Sequence, residues 1–149
     1  MKHARLRSAN DIEAVLPAWK RLASRSLVPA GLNSPELMGP LFKHVGGAEL
    51  AIVEQDDELL MALPLQRRKF PRGLLSNWVT PLTPLGTPHV DRNTPASAFA
   101  ELLNGLPVPL MMTSIETQGA LWNYLSTRDA HFEIIECWER ASLNVTGTY

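Results

Sequence analysis

The sequence predicts a mixed α/β (α+β) fold, in which a mostly antiparallel sheet is flanked by helices. The first observation is the segment from Ala48 to Gln66, where two nearly continuous apolar runs flank the acidic turn Gln55-Asp56-Asp57-Glu58. This pattern predicts a hairpin of central strands that are covered on both faces. The second observation is that helical patterns precede this hairpin and that helices alternate with strands after it. That order favours a mixed sheet.

Length and composition favour one domain that spans residues 1–149. The 149 residues are 45% hydrophobic, which is enough to build a core. The net charge of -1, from 14 basic and 15 acidic side chains, argues against a nucleic-acid surface based on bulk charge. The only cysteine, Cys137, excludes an internal disulfide and suggests a reducing compartment. The longest apolar run, Leu59–Leu65, is too short to span a bilayer, and the polar N-terminus is not a signal peptide. We therefore expect a cytoplasmic protein.

Two helices are expected before the hairpin. Lys2–Arg7 alternates weakly, which suggests an edge strand. Asn10 and Glu13 have the spacing of a capping box, and Pro17 is expected to kink or split the helix that follows. The apolar face of this helix contains Ile12, Val15, Leu16, Trp19, Leu22 and Ala23, with Trp19 as a core anchor.

Ser34-Pro35-Glu36 has the cap, the first-turn proline and the acidic residue of a second helix start. This helix has apolar residues at Leu37, Met38, Leu41, Phe42 and Val45, and Gly46-Gly47 is expected to end it. In the hairpin, Pro64 cannot donate a backbone hydrogen bond, so a bulge or a splayed strand end is expected there.

The elements after the hairpin are predicted from turn residues and periodicity. In chain order they are a basic tip at Gln66–Gly73, a strand at Leu74–Val79, a proline-rich loop at Thr80–Thr94, a helix from the Thr94-Pro95 cap to Asn104-Gly105, a buried strand at Val108–Ile115, a helix at Thr117–Thr127, and strands at Phe132–Glu139 and Ala141–Val145.

The proline-rich loop contains the best candidates for a ligand-binding site. His89 and Asp91 are two residues apart, near Thr87, and could act in acid–base chemistry or orient a substrate. They could equally belong to a loop that forms hydrogen bonds within itself. With Trp78 beside it, a long ordered loop suits the wall of a groove. We therefore predict Trp78, Thr87, His89 and Asp91 as substrate-binding residues.

Other chemistries have weaker support in the sequence. The basic tip could bind phosphates through Arg67, Arg68 and Arg72. However, a phosphate-binding loop needs glycines followed by a helix start, and here one glycine, Gly73, is followed by a strand pattern. A solvated hairpin tip therefore remains the main alternative. The four histidines have no metal-ligand spacing, so we expect no metal. Cys137 lies in a strand pattern, where a buried inert thiol is expected. The catalytic residues remain unknown at this point.

Several segments together resemble a known family. They are Trp19…Leu22, the Ser34-Pro35 helix start, Ala62-Leu63-Pro64-Leu65, and Trp78-Val79-Thr80-Pro81-Leu82-Thr83-Pro84-Leu85-Gly86-Thr87-Pro88. In this order they resemble the N-terminal half of bacterial Fem-like proteins of the GNAT acyltransferase superfamily. That group includes cellulose-biosynthesis-type acetyltransferases and, more distantly, peptidoglycan cross-bridge aminoacyl transferases. The resemblance covers nearly the whole chain.

The resemblance implies a GNAT-like domain that is the first half of a tandem. In such proteins the second half carries the acyl-donor site, and the first half helps to wall the acceptor groove. The tail Arg140–Tyr149 is similar to the segment that enters the second half, so the partner of this chain would be that missing half. The alternative partner is a second copy, bound through the late strands around Phe132–Val145.

Three functions remain open from the sequence. The first is a structural, acceptor-groove domain without independent catalysis. The second is a free-standing divergent N-acyltransferase that uses acyl-CoA as its cofactor and binds it through Arg67, Arg68 and Arg72. The third is a non-enzymatic module that holds a ligand or a partner with the Trp78–Asp91 loop.

Overall fold

A six-stranded sheet lies between two layers of helices. The computed structural model describes residues 2–29, 31–45, 47–69, 73–80, 86–126 and 133–137. Its elements in chain order are β1 (Lys2–Ser8), α1 (Ile12–Ser24), α2 (Pro35–His44), β2 (Ala48–Gln55), β3 (Glu58–Arg67), β4 (Leu75–Asn77), β5 (His89–Val90), α3 (Ser97–Asn104), β6 (Leu110–Met111) and α4 (Gly119–Leu125).

The sheet is antiparallel except at one pair of strands. Its order is β1-β2-β3-β4-β6, and β5 also pairs with β3. The pairs β1–β2, β2–β3, β3–β4 and β3–β5 are antiparallel, whereas β4 and β6 are parallel. The predicted fold class, a mostly antiparallel mixed sheet flanked by helices, is therefore confirmed.

The central hairpin forms where the sequence predicts it. Asp56 and Asp57 form the turn between β2 and β3 with φ angles of 52° and 63°, as a tight turn between twisted strands requires. Side chains of both strands are buried on both faces. Leu50 and Ile52 pack with α1 and α2, and Val53 packs with α3 and α4 on the other face. Coverage on both faces explains why the two arms are nearly continuous in apolar residues.

β4 and β5 are two parts of one interrupted strand beside β3. Asn77 pairs with Leu65 at the end of β4, and the N–H of Trp78 still donates to the carbonyl oxygen of Pro64 at 2.9 Å. Pairing resumes at β5, where His89 is opposite Ala62. The predicted bulge at Pro64 is wrong, because Pro64 stays in register with β2, and the β2–β3 irregularity lies at Val53/Glu54. The interruption lies instead in the neighbouring strand, between β4 and β5.

The first two helices cover one face of the sheet. Ile12, Trp19 and Leu22 of α1 are buried there, as are Met38 and Phe42 of α2. Pro17 lies inside α1, which nevertheless runs unbroken from Ile12 to Ser24. The predicted capping box is wrong, because Asn10 lies in a 3-10 turn and Asp11 is the N-cap, without a side-chain cap bond. None of the helices in the described ranges is long and apolar enough to cross a membrane.

Two later helices cover the other face. Phe99 and Leu102 of α3 and Leu121 of α4 belong to this second core. α3 begins at Ser97, so the predicted cap at Thr94 is wrong; Thr94 Oγ1 instead donates to the carbonyl oxygen of Leu60 at 3.3 Å. The predicted strand at Val108–Ile115 is reduced to the two residues of β6, because only those pair with β4.

The late strands are only partly within the described residues. Residues 133–137 of the predicted Phe132–Glu139 strand are exposed and are not in a strand, so this part of the prediction is wrong. Without a paired neighbour, the two isoleucines remain accessible, with Ile134 55% and Ile135 82% exposed. The predicted strand Ala141–Val145 and the tail to Tyr149 lie outside the described residues.

Candidate functional site

The four predicted site residues lie in one region, at the interruption between β4 and β5. Trp78, His89 and Asp91 are 3%, 2% and 7% exposed, whereas Thr87 is half-buried. Each of the three buried side chains contacts a group from an element distant in sequence. The four residues thus lie in one region, and Thr87 is the most exposed of them.

An aromatic cluster holds Trp78 and His89 against α1 and α2. Trp19 Nε1 donates a hydrogen bond of 2.7 Å to His89 Nδ1. The ring of Phe42 packs edge-on against both tryptophans, with centroid distances of 6.1 Å to Trp19 and 5.1 Å to Trp78. Edge-to-face pairs of this kind add to the stabilisation from burial. Because the indole N–H can only donate, Nδ1 of His89 is unprotonated and its ring proton lies on Nε2.

Burial also determines the charge of His89. Desolvation lowers the pKa of this imidazole from 6.5 to about 4, and the nearby negative charge of Glu36 opposes the shift with a smaller effect. His89 is therefore neutral near neutral pH. Its Nδ1 lone pair is occupied by Trp19, so this nitrogen cannot accept a proton from a ligand while that hydrogen bond is intact.

Asp91 is held by a separate network at the C-terminal end of α1. Arg25 Nε donates to Asp91 Oδ2, and Arg25 Nη2 donates to the carbonyl oxygen of Leu59 at 3.0 Å. The second carboxylate oxygen, Asp91 Oδ1, accepts the backbone N–H of Asn93 at 2.8 Å. His89 and Asp91 thus have different partners, although they are only two residues apart.

Asn77, which is not among the predicted site residues, joins the end of β4 to the segment after β6. Its Nδ2 donates to the carbonyl oxygens of Gly86 at 3.1 Å and Thr113 at 2.7 Å. Its Oδ1 accepts the backbone N–H of Thr113 at 2.8 Å and the Thr113 hydroxyl at 3.3 Å. The amide of this fully buried residue is therefore satisfied on both sides. The available signal was an asparagine inside an otherwise apolar strand pattern.

Only a glycine fits at position 86, because there is no room for a Cβ atom. A Cβ atom there would lie 1.7 Å from Asn77 Nδ2 and 2.9 Å from Val79 Cγ2, both of which are closer than any real contact. Next to it, the carbonyl oxygen of Thr87 accepts a hydrogen bond of 3.3 Å from Asn33 Nδ2. The end of the proline-rich loop is thus bonded to Asn77 at the end of β4 and to Asn33, the residue before the α2 N-cap.

The basic tip does not present all its charges freely. Arg67 Nε and Nη2 both donate to Glu49 Oε1, at 3.1 and 2.9 Å. Residues 70–72 lie outside the described residues, so the structure does not place Arg72. Of the three predicted phosphate ligands, Arg67 is already engaged in an ion pair within the sheet.

The described part of the chain contains the exposed thiol of Cys137 and no cluster of metal ligands. Its His, Cys, Asp and Glu side chains form no group of three or more that could hold a metal ion. Cys137 is exposed, so the prediction of a buried thiol in a strand is wrong. The physical reason is that residues 133–137 are not covered by any described element.

Most backbone N–H groups in the connection between β5 and α3 are engaged within the chain. A diphosphate bound at a helix start needs backbone N–H groups that point at it. In residues 91–96 the N–H of Asn93 is taken by the Asp91 carboxylate, and the N–H of Thr94 donates to the Asp91 carbonyl oxygen at 3.0 Å. Pro95 has no N–H, and the connection contains no glycine. The Asp91 carboxylate and carbonyl oxygen thus already take two of the N–H groups in this connection.

Comparison with known proteins identifies the fold. No protein-family model matches the sequence, and no curated protein matches it. An aminoglycoside acetyltransferase from an uncultured soil metagenomic sample, solved in complex with trehalose, is 12% identical with a TM-score of 0.50, over 95% of this chain and 97% of that chain. A GCN5-related N-acetyltransferase (GNAT) from Ralstonia eutropha JMP134 is 13% identical with a TM-score of 0.45, over 95% and 99%. A probable acetyltransferase from Staphylococcus epidermidis ATCC 12228 is 16% identical with a TM-score of 0.40; the match covers 70% of this chain and only 62% of that one.

At these levels of identity, the likeness to the aminoglycoside acetyltransferase is evidence for the fold alone. It agrees with the observed architecture, a mostly antiparallel sheet with one parallel pair and helices on both faces. The chain has the GNAT fold.

Proposed function

We propose that this chain is a GNAT-fold acyltransferase domain that walls an acceptor groove and does not bind an acyl-CoA donor by itself. The proposal follows the resemblance to the first half of Fem-like proteins. The observation that carries it is the β5–α3 connection, where Asp91 takes up the backbone N–H group of Asn93 and is itself held by Arg25. In the complete protein, the donor would bind to the second half, and the acyl group would pass to an amine or hydroxyl in the groove.

Within this proposal, the predicted site residues have two roles. Thr87 is the only one of the four that is accessible enough to touch an acceptor. The other three, which are at most 7% exposed, position the wall from behind: Trp78 through Phe42, His89 through Trp19, and Asp91 through Arg25. Substitution of Thr87 is therefore expected to change acceptor affinity without a change in stability.

The test is direct measurement of CoA and acetyl-CoA binding to the purified chain by calorimetry, together with acetyl transfer to amines. We expect no saturable binding and no transfer. Saturable binding accompanied by transfer would overturn the proposal. The intact mass of the protein from its source cell tests the tandem separately: a mass roughly twice that of these 149 residues supports a two-half protein.

A free-standing N-acyltransferase is the second candidate. The observation that favours it is that the alignment covers 97% of the aminoglycoside acetyltransferase, so a chain of about this length is an acetyltransferase in that case. Under this candidate the donor phosphates bind to the basic tip. There Arg68 is the better candidate ligand, because Arg67 is already paired with Glu49. Arg68→Met should then weaken CoA binding, whereas exposed Arg21→Met on α1 should not.

We also propose that the exposed segment Glu133–Cys137 is covered in the functional protein by the second half or, failing that, by a second copy of the chain. Support comes from the 82% exposure of Ile135 beside Ile134, since adjacent exposed isoleucines are typical of a contact surface. Light scattering of the isolated chain at high concentration should show a dimer that Ile135→Asp dissociates. A monomer under these conditions would contradict self-association and leave the second half as the partner.

A further inference from the structure

A partly open cavity lies between α1 and the adjoining strands, apart from the residues discussed above. Its volume is about 220 Å³. The lining consists of Arg7, Asp11, Ala14, Val15, Ala18, Glu54, Asp57 and Leu59. None of the predicted site residues belongs to this lining. Its size is below the roughly 300–1,000 Å³ of pockets for drug-sized ligands, so it suits a small molecule.

The unusual feature of this cavity is Arg7. Its Nε atom is buried and has no hydrogen-bond partner among the described residues, while the side chain as a whole is only partly buried. Buried polar groups are nearly always paired, so a buried N–H without a partner is unusual. On the wall of a cavity, this N–H is available to a group from outside the chain.

The other polar groups of the cavity have the opposite charge. Asp11 accepts a hydrogen bond from Ser8, and Asp57 lies at the turn of the β2–β3 hairpin. Within the described residues, neither Asp11 nor Asp57 forms an ion pair with Arg7, and Val15 and Leu59 supply apolar surface. A bound molecule that bridges the two kinds of charge would need an anionic group for Arg7, a cationic group for the carboxylates, and a short apolar chain between them.

We propose that this cavity binds a small zwitterion, with a carboxylate that pairs with the Arg7 guanidinium and an ammonium group that faces the Asp11 and Asp57 carboxylates. An arginine side chain offers a forked donor geometry that matches a carboxylate. The proposal does not depend on the proposed acyltransferase function, because the cavity and the β5–α3 connection share no residue.

The test uses the ω-amino acids glycine, β-alanine, γ-aminobutyrate and δ-aminovalerate as probes, in calorimetry and thermal denaturation of the full chain. At least one member of this series should bind with one-to-one stoichiometry. Valerate and pentylamine, which each carry one charge, should bind about tenfold more weakly than δ-aminovalerate or not at all, as expected when one charged contact is lost. If no amino acid of the series binds, or if the singly charged compounds bind equally well, the proposal is wrong.

Two variants and one control locate the site. Arg7→Met removes the guanidinium and keeps the length of the side chain, and Asp57→Asn removes a carboxylate at the hairpin turn; each should weaken binding by about tenfold or more. Arg21→Met, an exposed arginine of α1 outside the cavity, should bind the probe like the wild type. Without ligand, Arg7→Met should melt at the same temperature as the wild type or higher, because it removes a buried N–H that has no partner. A clearly lower melting temperature would show that Arg7 supports the fold rather than a ligand.

Discussion

Acidification should destabilise this protein through His89. Its pKa is about 4 in the folded chain, below the ordinary value of 6.5, because burial disfavours the imidazolium. The unfolded chain therefore binds this proton first as the pH falls. The contribution of neutral His89 is complete above about pH 6.5 and is lost progressively as the pH falls to about 4; below that, both states are protonated and no further loss occurs.

The size of the effect follows from the same two pKa values. A difference of about 2.5 pKa units between 6.5 and about 4 corresponds to roughly 3 kcal/mol in the free energy of unfolding. Between about pH 7 and about pH 4.5 most of it, on the order of 2 kcal/mol, should already be lost. The protonated ring can no longer accept the Trp19 N–H, so the same change removes the hydrogen bond between α1 and β5.

The assay is urea denaturation across this pH range for the wild type, His89→Asn and the control His44→Asn. Asparagine retains an acceptor for Trp19 Nε1 but does not titrate, so His89→Asn should lose the His89-linked part of the pH dependence. His44 is exposed at the end of α2, and its variant should behave like the wild type. Equal pH slopes for the wild type and His89→Asn would refute the reasoning, as would an NMR titration of the folded protein in which the His89 ring titrates near its ordinary pKa.

Two further predictions concern the hydrogen-bond networks on either side of the interrupted strand. Gly86→Ala should lower the free energy of unfolding by about 2 kcal/mol or more, because the new methyl displaces the Asn77 amide from buried partners. Gly39→Ala is the matched control: its Cβ meets only the flexible Leu16 side chain at 3.2 Å, and a change within about 1 kcal/mol is expected. Arg25→Met should cost about 2 kcal/mol or more, because it leaves the Asp91 carboxylate buried without its cation. Arg21→Met should stay within about 0.5 kcal/mol, and adding Asp91→Asn to Arg25→Met should recover part of the loss. Urea denaturation measures all of these, and equal losses for Arg25→Met and Arg21→Met would contradict the second prediction.

Local patterns were sufficient to predict the central hairpin and the helices around it. The acidic turn at Asp56-Asp57 and its apolar flanks determine β2 and β3, and 3.6-residue periodicity determines α1 with Trp19 at its centre. The caps were less predictable: Asn10 has a suitable side chain but lies inside a 3-10 turn, and the Thr94 hydroxyl donates to Leu60 instead. Helix boundaries depend on such competing contacts, which no local pattern records.

β5 could not be predicted for a different reason. His89 and Val90 follow a run of prolines, so composition indicates a loop. They become a strand only because Ala62 and Met61 of β3 present backbone groups there, and Ser26 Oγ accepts the Val90 N–H at 3.2 Å. A strand of two residues that is held by neighbouring elements is too short to show a periodic pattern in its own sequence.

The sequence indicated where polar residues lie close together, but not which groups they bond. The spacing of His89 and Asp91 suggested that they act together, yet their partners, Trp19 and Arg25, are 70 and 66 residues away in the chain. Those partners come from α1, and only the packing of α1 on the sheet brings them close. Local sequence can therefore locate polar residues near a site, while the tertiary contacts decide which of their atoms remain available.

The contacts of Asp91 bear on the proposed function, because under that proposal they close the place where a donor diphosphate would bind. Asp91 has both carboxylate oxygens occupied, one by Arg25 and one by the N–H of Asn93, so that N–H group cannot turn to a phosphate while the pair with Arg25 is intact. A version of this connection able to bind a diphosphate would need to give up the buried ion pair and to replace Pro95 with a residue that has an N–H. Under the proposed function, stability and donor binding are thus in opposition at this connection. If Asp91→Asn, which removes the charge, still fails to bind CoA, the backbone geometry alone excludes the donor; if it gains CoA affinity, the carboxylate is the barrier.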